Sequence, residues 1–137
     1  MYFEVTRRVR FADVDPAGIV FYPRYFEMIN AVVEDWFEAG LDYGLDQMIR
    51  CDGIGIPLAH IDVNFEAPSR LDDTLVLGLS VSSVGRSAIK LKITARSGDE
   101  VRFIAHPTLV HIDIAKHRPT RIPDTLKTRM LDFKEAA

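Results

Sequence analysis

The chain has 137 residues, of which 47% are aliphatic or aromatic and 27% charged, with a formal net charge of −3. A chain of this length fits one domain, 1–137, and buries roughly 68 to 70% of the surface its unfolded form exposes, enough for a single core. The slight acidity argues against a nucleic-acid partner, no apolar run approaches the ~18 residues of a membrane span, and a single cysteine, Cys51, excludes an internal disulfide and a cysteine-based zinc site.

Residues 1–11 alternate: Met1, Phe3, Val5, Val9 and Phe11 face one way, and Tyr2, Glu4, Thr6, Arg8 and Arg10 the other. That is the period of a half-buried strand, broken on its apolar side only by Arg7. The same alternation is unlike a basic region followed by a hydrophobic one, so no secretory signal is read here and a cytoplasmic protein is expected.

The next stretch, FADVDPAGIVFYP at 11–23, sets two carboxylates, Asp13 and Asp15, one residue apart in a loop punctuated by Pro16, Gly18 and Pro23. It runs into a periodic segment whose first N–H groups lack intrahelical partners, a natural place for an anionic oxygen. A carboxylate beside oxyanion donors suits acyl transfer. An Asp-Pro turn before a helix also serves as a capping device, and the spacing alone leaves both readings open.

Pro23 suits a first helical position, and Tyr25, Phe26, Ile29, Val32, Val33, Trp36 and Phe37 form a wide apolar face opposite Glu27, Asn30, Glu34 and Glu38. The helix is expected to reach about Ala39 and to stop at Gly40, a rod of ~25 Å. Residues 41–55 suggest one or two helical turns around Leu45, Met48 and Ile49, ending at Gly53 and Gly55. Four strands follow: 59–66, closed by Pro68; 71–82; 88–96; and 100–114. Turns at Val84-Gly85-Arg86 and Ser97-Gly98-Asp99 link the last three. The 100–114 strand is apolar on both faces, which predicts cover on both sides, and Pro107 inside it predicts a bulge or an edge. A short helix at 124–133 carries Leu126, Met130 and Phe133. One long helix against five antiparallel strands is an α+β layer, and the mixed apolar and basic second face hints at an oligomer. His60, His106, His111 and His117 show no metal-site spacing with a partner carboxylate, so no metal is expected.

This order of strand, acidic loop, wrapped helix and four-stranded meander resembles a hotdog fold. The run from Arg8 and Val9 through Asp13, Asp15-Pro16-Ala17-Gly18-Ile19-Val20 to Tyr22 and Tyr25 resembles the 4-hydroxybenzoyl-CoA thioesterase family. Val14 departs from the Thr or Cys often found before the family's catalytic aspartate. The resemblance implies hydrolysis of an acyl-CoA, with no cofactor beyond the coenzyme A of the substrate. It makes Asp15 the catalytic carboxylate, as nucleophile or general base, and the backbone N–H of Tyr22 the donor to the thioester oxygen. Asp13 is the rival, with a bracing role.

The resemblance also points to Arg86 and Ser87 at the pantetheine and nucleotide end of coenzyme A, against an ordinary hairpin turn. It points to Asn30 where the benzoyl-specific relative reads the ring hydroxyl with an aspartate. An amide there cannot favour a phenol by charge, so an aromatic or short- to medium-chain acyl group without strong 4-hydroxybenzoyl preference is expected. Sites between subunits imply a homodimer, or a tetramer made of two. The alternatives are a noncatalytic acyl-CoA or acyl-carrier-binding module, and a dehydratase or hydratase, which needs a histidine paired with an acid.

Overall fold

The computed structural model describes residues 1–135. The strands are β1 (Phe3–Arg8), β2 (Ile54–Gly55), β3 (Leu58–Phe65), β4 (Thr74–Val84), β5 (Ala88–Ser97), β6 (Glu100–Val110), β7 (Ile112–Asp113) and β8 (Arg118–Pro119). The helices are α1 (Pro23–Asp35), prolonged by a π-helical turn Trp36–Gly40, and α2 (Asp124–Leu131). Five strands form one antiparallel sheet in the order β1-β4-β5-β6-β3, and β2-β7-β8 form a small second one.

The four-strand meander expected from the sequence is therefore corrected to three. β3 does not lie beside β4; it crosses to the far side and pairs with β6, Phe65 opposite Phe103 and Val63 opposite Ala105. Alternation specifies which face a strand buries but not which neighbour it takes, so the order was invisible to periodicity. The crossing leaves β3 as an edge with unpaired backbone groups.

One face of the sheet is a ladder of buried aliphatics: Leu75, Leu77, Leu79 and Val81 from β4, Ile89, Leu91 and Ile93 from β5. Phe103, Ala105 and Leu109 extend it across β6. Against it lies α1 with Tyr25, Met28, Ile29, Val32 and Val33, each removed from water. At roughly 1.5 to 3 kcal/mol per large side chain, this contact is the main stabilising term of the fold. Phe133, just beyond α2, closes the far end edge-on to Trp36 at 5.9 Å between ring centroids.

Gly40 ends the helical segment for a different reason from the one expected. Its backbone is not left-handed; Asp42, two residues on, takes φ 52°. A Cβ at Gly40 would come within 2.7 Å of Trp36 Cδ1, so glycine is there to admit the indole.

β6 also departs from expectation. It sits inside the sheet, and instead of a bulge at Pro107 the β5–β6 ladder has a gap between Lys90–Thr108 and Ile93–Ala105, where proline has no N–H to offer. Its second face is half-exposed, not covered: Ile104 and Val110 share the open side of the sheet with Lys90, Lys92 and Arg96.

Candidate active site

The acidic loop folds into a miniature hairpin. Phe21 N donates to Asp13 O at 2.9 Å, Val14 bridges Val20, and Asp15 N donates to Ile19 O at 2.9 Å. Gly18 N closes the turn onto Asp15 O at 2.9 Å, with Gly18 left-handed at φ 80°. Asp first, Pro second and Gly at the left-handed position is the residue order that such a turn selects. The hairpin is tied to the segment before β4 by Val20 N to Ser69 O at 2.9 Å and Leu71 N to Gly18 O at 3.0 Å. Asp73 anchors that segment, accepting from Arg70 N at 2.9 Å and Arg102 Nη1 at 2.7 Å. The Arg102 hydrogen bond holds the Asp73 carboxyl below the usual carboxylate range.

The two loop carboxylates have different surroundings. Asp13 is buried, its Oδ2 accepting from Arg10 N at 2.9 Å and its Oδ1 from Arg7 Nη2 at 3.3 Å. Arg7, the one charged residue on the apolar side of β1, is there to meet it. Asp15 is half-buried. Its Oδ1 accepts from Ala17 N at 2.9 Å and more distantly from Ile19 N at 3.4 Å, while Oδ2 has no hydrogen bond among the described residues.

The oxyanion donors at the helix start reduce to one. Arg24 N is occupied by Phe21 O at 2.8 Å, Tyr25 N by Tyr22 O at 3.1 Å, and Pro23 has no N–H. The N–H of Tyr22 donates to nothing among the described residues. The several donors expected from an open helix terminus are lost because the first turn tightens into i→i+3 bonds. Around this loop the aromatic surface is unusually bare: Phe11 is 83% exposed, Tyr22 63%, and Phe21 and Phe65 50% each.

Asn30 lines a crevice of about 190 Å³ between α1 and the β3 edge, with Phe26, Val33, Leu58, Ile61 and Pro107 among its apolar walls. Glu34, one turn further along α1, lines it too. In the sequence Glu34 stands simply opposite the apolar face of α1, and nothing there marks it as a crevice residue.

Arg86 and Ser87 lie elsewhere. The acidic loop adjoins the start of β4 and their turn follows its end; the 11 residues of β4 span about 35 Å. The turn is fastened by His111 N to Ser87 O and Ile122 N to Arg86 O, each 2.8 Å, and the Arg86 side chain is exposed. Beside it a larger cavity, about 390 Å³, is lined by Tyr43, Asp52, His111, Arg121 and Arg129. This cavity is thus at the opposite end of β4 from Asp15. His111 is buried, with Nδ1 3.1 Å from Thr120 O, and burial pushes its pKa down.

Two of the histidines share one carboxylate. β3–β6 register puts Asp62 opposite His106, with Nδ1 3.3 Å from Oδ1, and His60 Nε2 lies 3.8 Å from Oδ2. All three are exposed on the open sheet face, away from the crevice. Among the described residues no three His, Cys, Asp or Glu side chains form a metal-holding group, and no helix is long and apolar enough to cross a membrane.

A long helix laid against a five-stranded antiparallel sheet, with a carboxylate hairpin at the helix start, defines a hotdog-fold protein. The family model described as the thioesterase-like superfamily matches residues 9–130, and the chain belongs to that superfamily. It is 31% identical over 112 residues, 80% of each chain, to a 1,4-dihydroxy-2-naphthoyl-CoA hydrolase of Acaryochloris marina. To a hydrolase of the same name from Synechocystis sp. it is 23% identical over 133 residues, 96% of each chain. A solved 1,4-dihydroxy-2-naphthoyl-CoA thioesterase from Synechocystis superposes with a TM-score of 0.87 at 22% identity, covering 96% of this chain and 97% of that one.

Proposed function

We propose that this acyl-CoA thioester hydrolase acts on an aromatic or short- to medium-chain acyl group, with Asp15 as the reacting carboxylate and Tyr22 N–H as the oxyanion donor. The observation that carries the reading is the pair of unshared groups at one loop: Asp15 Oδ2 and the N–H of Tyr22, each without a partner among the described residues. A free oxygen is what a nucleophile or a base requires, whereas both Asp13 oxygens are committed. Attack on the carbonyl carbon, by Asp15 or by a water it deprotonates, pushes the electron pair onto the oxygen facing Tyr22 N–H. Collapse expels the coenzyme A thiolate, which takes up a proton. Water completes the cycle by opening the anhydride, if one forms.

The reading includes a homodimer joined through β3. Pairing of two identical edges about a two-fold is antiparallel, so it inverts the strand direction. The partner's Arg86 then comes to the end that holds Asp15, and so does the lower end of the partner's crevice. About 35 Å separates Asp15 and Arg86 along one protomer's β4, too far for them to hold the two ends of one ligand. The bare Leu58 and Phe65 at the two ends of β3, and Phe21 and Tyr22 beside the loop, also gain cover.

Thiol release from an acyl-CoA panel, followed with a thiol reagent, tests the activity. Turnover with aromatic or short acyl-CoAs supports it, and no release from any member refutes it.

A further inference from the structure

The crevice between α1 and β3 has ten apolar lining residues and two polar ones, Asn30 and Glu34. They are four apart on one helix, so their side chains stand on one face about 5 to 6 Å apart. Glu34 has no ion pair or hydrogen bond among the described residues, whereas Glu27, two helical turns earlier, is held by Arg24 at 2.7 Å. Glu34 is exposed at the lip of this apolar groove, so its carboxylate stays hydrated and open to a donor carried into the groove. An ionised carboxylate only accepts hydrogen bonds, and an amide accepts and donates, so the pair is richer in acceptors than donors.

We infer that Glu34 selects the acyl group, accepting a hydrogen bond from a hydroxyl or ammonium group carried on it and repelling acyl groups that end in a carboxylate. The inference rests on the thioesterase reading and deepens it: the acyl group enters the crevice, and its donor meets Glu34 while its apolar body lies against Ile61, Pro107 and Leu109. Within one protomer Glu34 is 12 residues beyond Tyr22, about 18 Å of helix rise, beyond the reach of a single benzoyl ring. In the β3-paired dimer the crevice serving one Asp15 is the partner's, because the two-fold carries that end of α1 back to the acidic loop. Asn30 alone predicts indifference to a phenol; Glu34 beside it reverses that expectation.

The test is kcat/KM on matched substrates with the wild type, Glu34→Gln and Glu34→Ala: benzoyl-CoA against its hydroxylated isomers, and hexanoyl-CoA against 6-hydroxyhexanoyl-CoA and adipoyl-CoA. The wild type is expected to favour a hydroxylated member of at least one set by about tenfold or more and to discriminate against adipoyl-CoA. Glu34→Gln should bring that preference within about threefold and raise adipoyl turnover relative to hexanoyl turnover, since its amide now offers a donor. A substitution that lowers every substrate alike, or alters no ratio, overturns the assignment of Glu34 and leaves the thioesterase reading standing. Failure of the wild type to release thiol from any member overturns that reading and this inference together.

Discussion

At the scale of single residues, the two loop aspartates show how neighbours divide the work of identical side chains. Asp13 is buried between Arg7 and the Arg10 N–H, so Asp13→Asn should cost about 1 to 3 kcal/mol in urea unfolding. Asp15 spends one oxygen on its own turn and keeps the other free, and because an amide oxygen can still accept from Ala17 N–H, Asp15→Asn should preserve the loop that Asp15→Ala loosens by roughly 0.5 to 2 kcal/mol. The sequence held the clue to Asp13, since a lone arginine on the apolar side of β1 requires a buried acceptor. It gave no such clue for Glu34, because a glutamate on a helix's polar stripe reads the same whether it faces water or a crevice. His111 gives a pH test. Burial lowers its folded pKa, so its contribution is present above the unfolded value near 6.5 and is lost as pH falls from there through the folded pKa. The wild type should therefore lose more melting temperature between pH 7 and 5 than His111→Asn.

At the scale of elements, periodicity served well where a face is buried. α1, the five long strands and α2 all follow from apolar spacing, because each spans several turns or alternations against one core. The two-residue strands β2, β7 and β8 could not be read, being too short to alternate. The π-helical end of α1 was equally hidden, since it arises from packing: Leu41 N reaches back to Trp36 O at 2.8 Å while Gly40 makes room for the indole. Gly40→Ala should cost about 1 to 3 kcal/mol through that overlap, seen as a lower denaturation midpoint with unchanged slope. A neutral substitution would show that the indole has room to shift.

At the scale of the whole molecule, the residues that the family resemblance grouped around one ligand lie at opposite ends of one sheet. Asp15 and Arg86 are separated by the length of β4, a fact that no local pattern reports because it depends on which way each strand runs. If β3 edges pair, mixing Asp15→Asn with Arg86→Ala protomers builds one site with both native residues. At low substrate the exchanged mixture should exceed the mean of its parents, reaching about a quarter of wild-type activity at statistical exchange. A strictly additive mixture that has exchanged subunits would mean that each site draws Asp15 and Arg86 from one chain.

The most direct test of the central claim is steady-state turnover of Asp15→Asn beside Asp13→Asn, both purified folded and assayed on the best acyl-CoA from the panel. Removing the attacking or proton-accepting charge while keeping the loop shape should lower kcat at least about a hundredfold with little change in KM, and Asp13→Asn should lose stability ahead of turnover. Near-full turnover by Asp15→Asn, or a collapse of kcat confined to Asp13→Asn, would contradict the assignment.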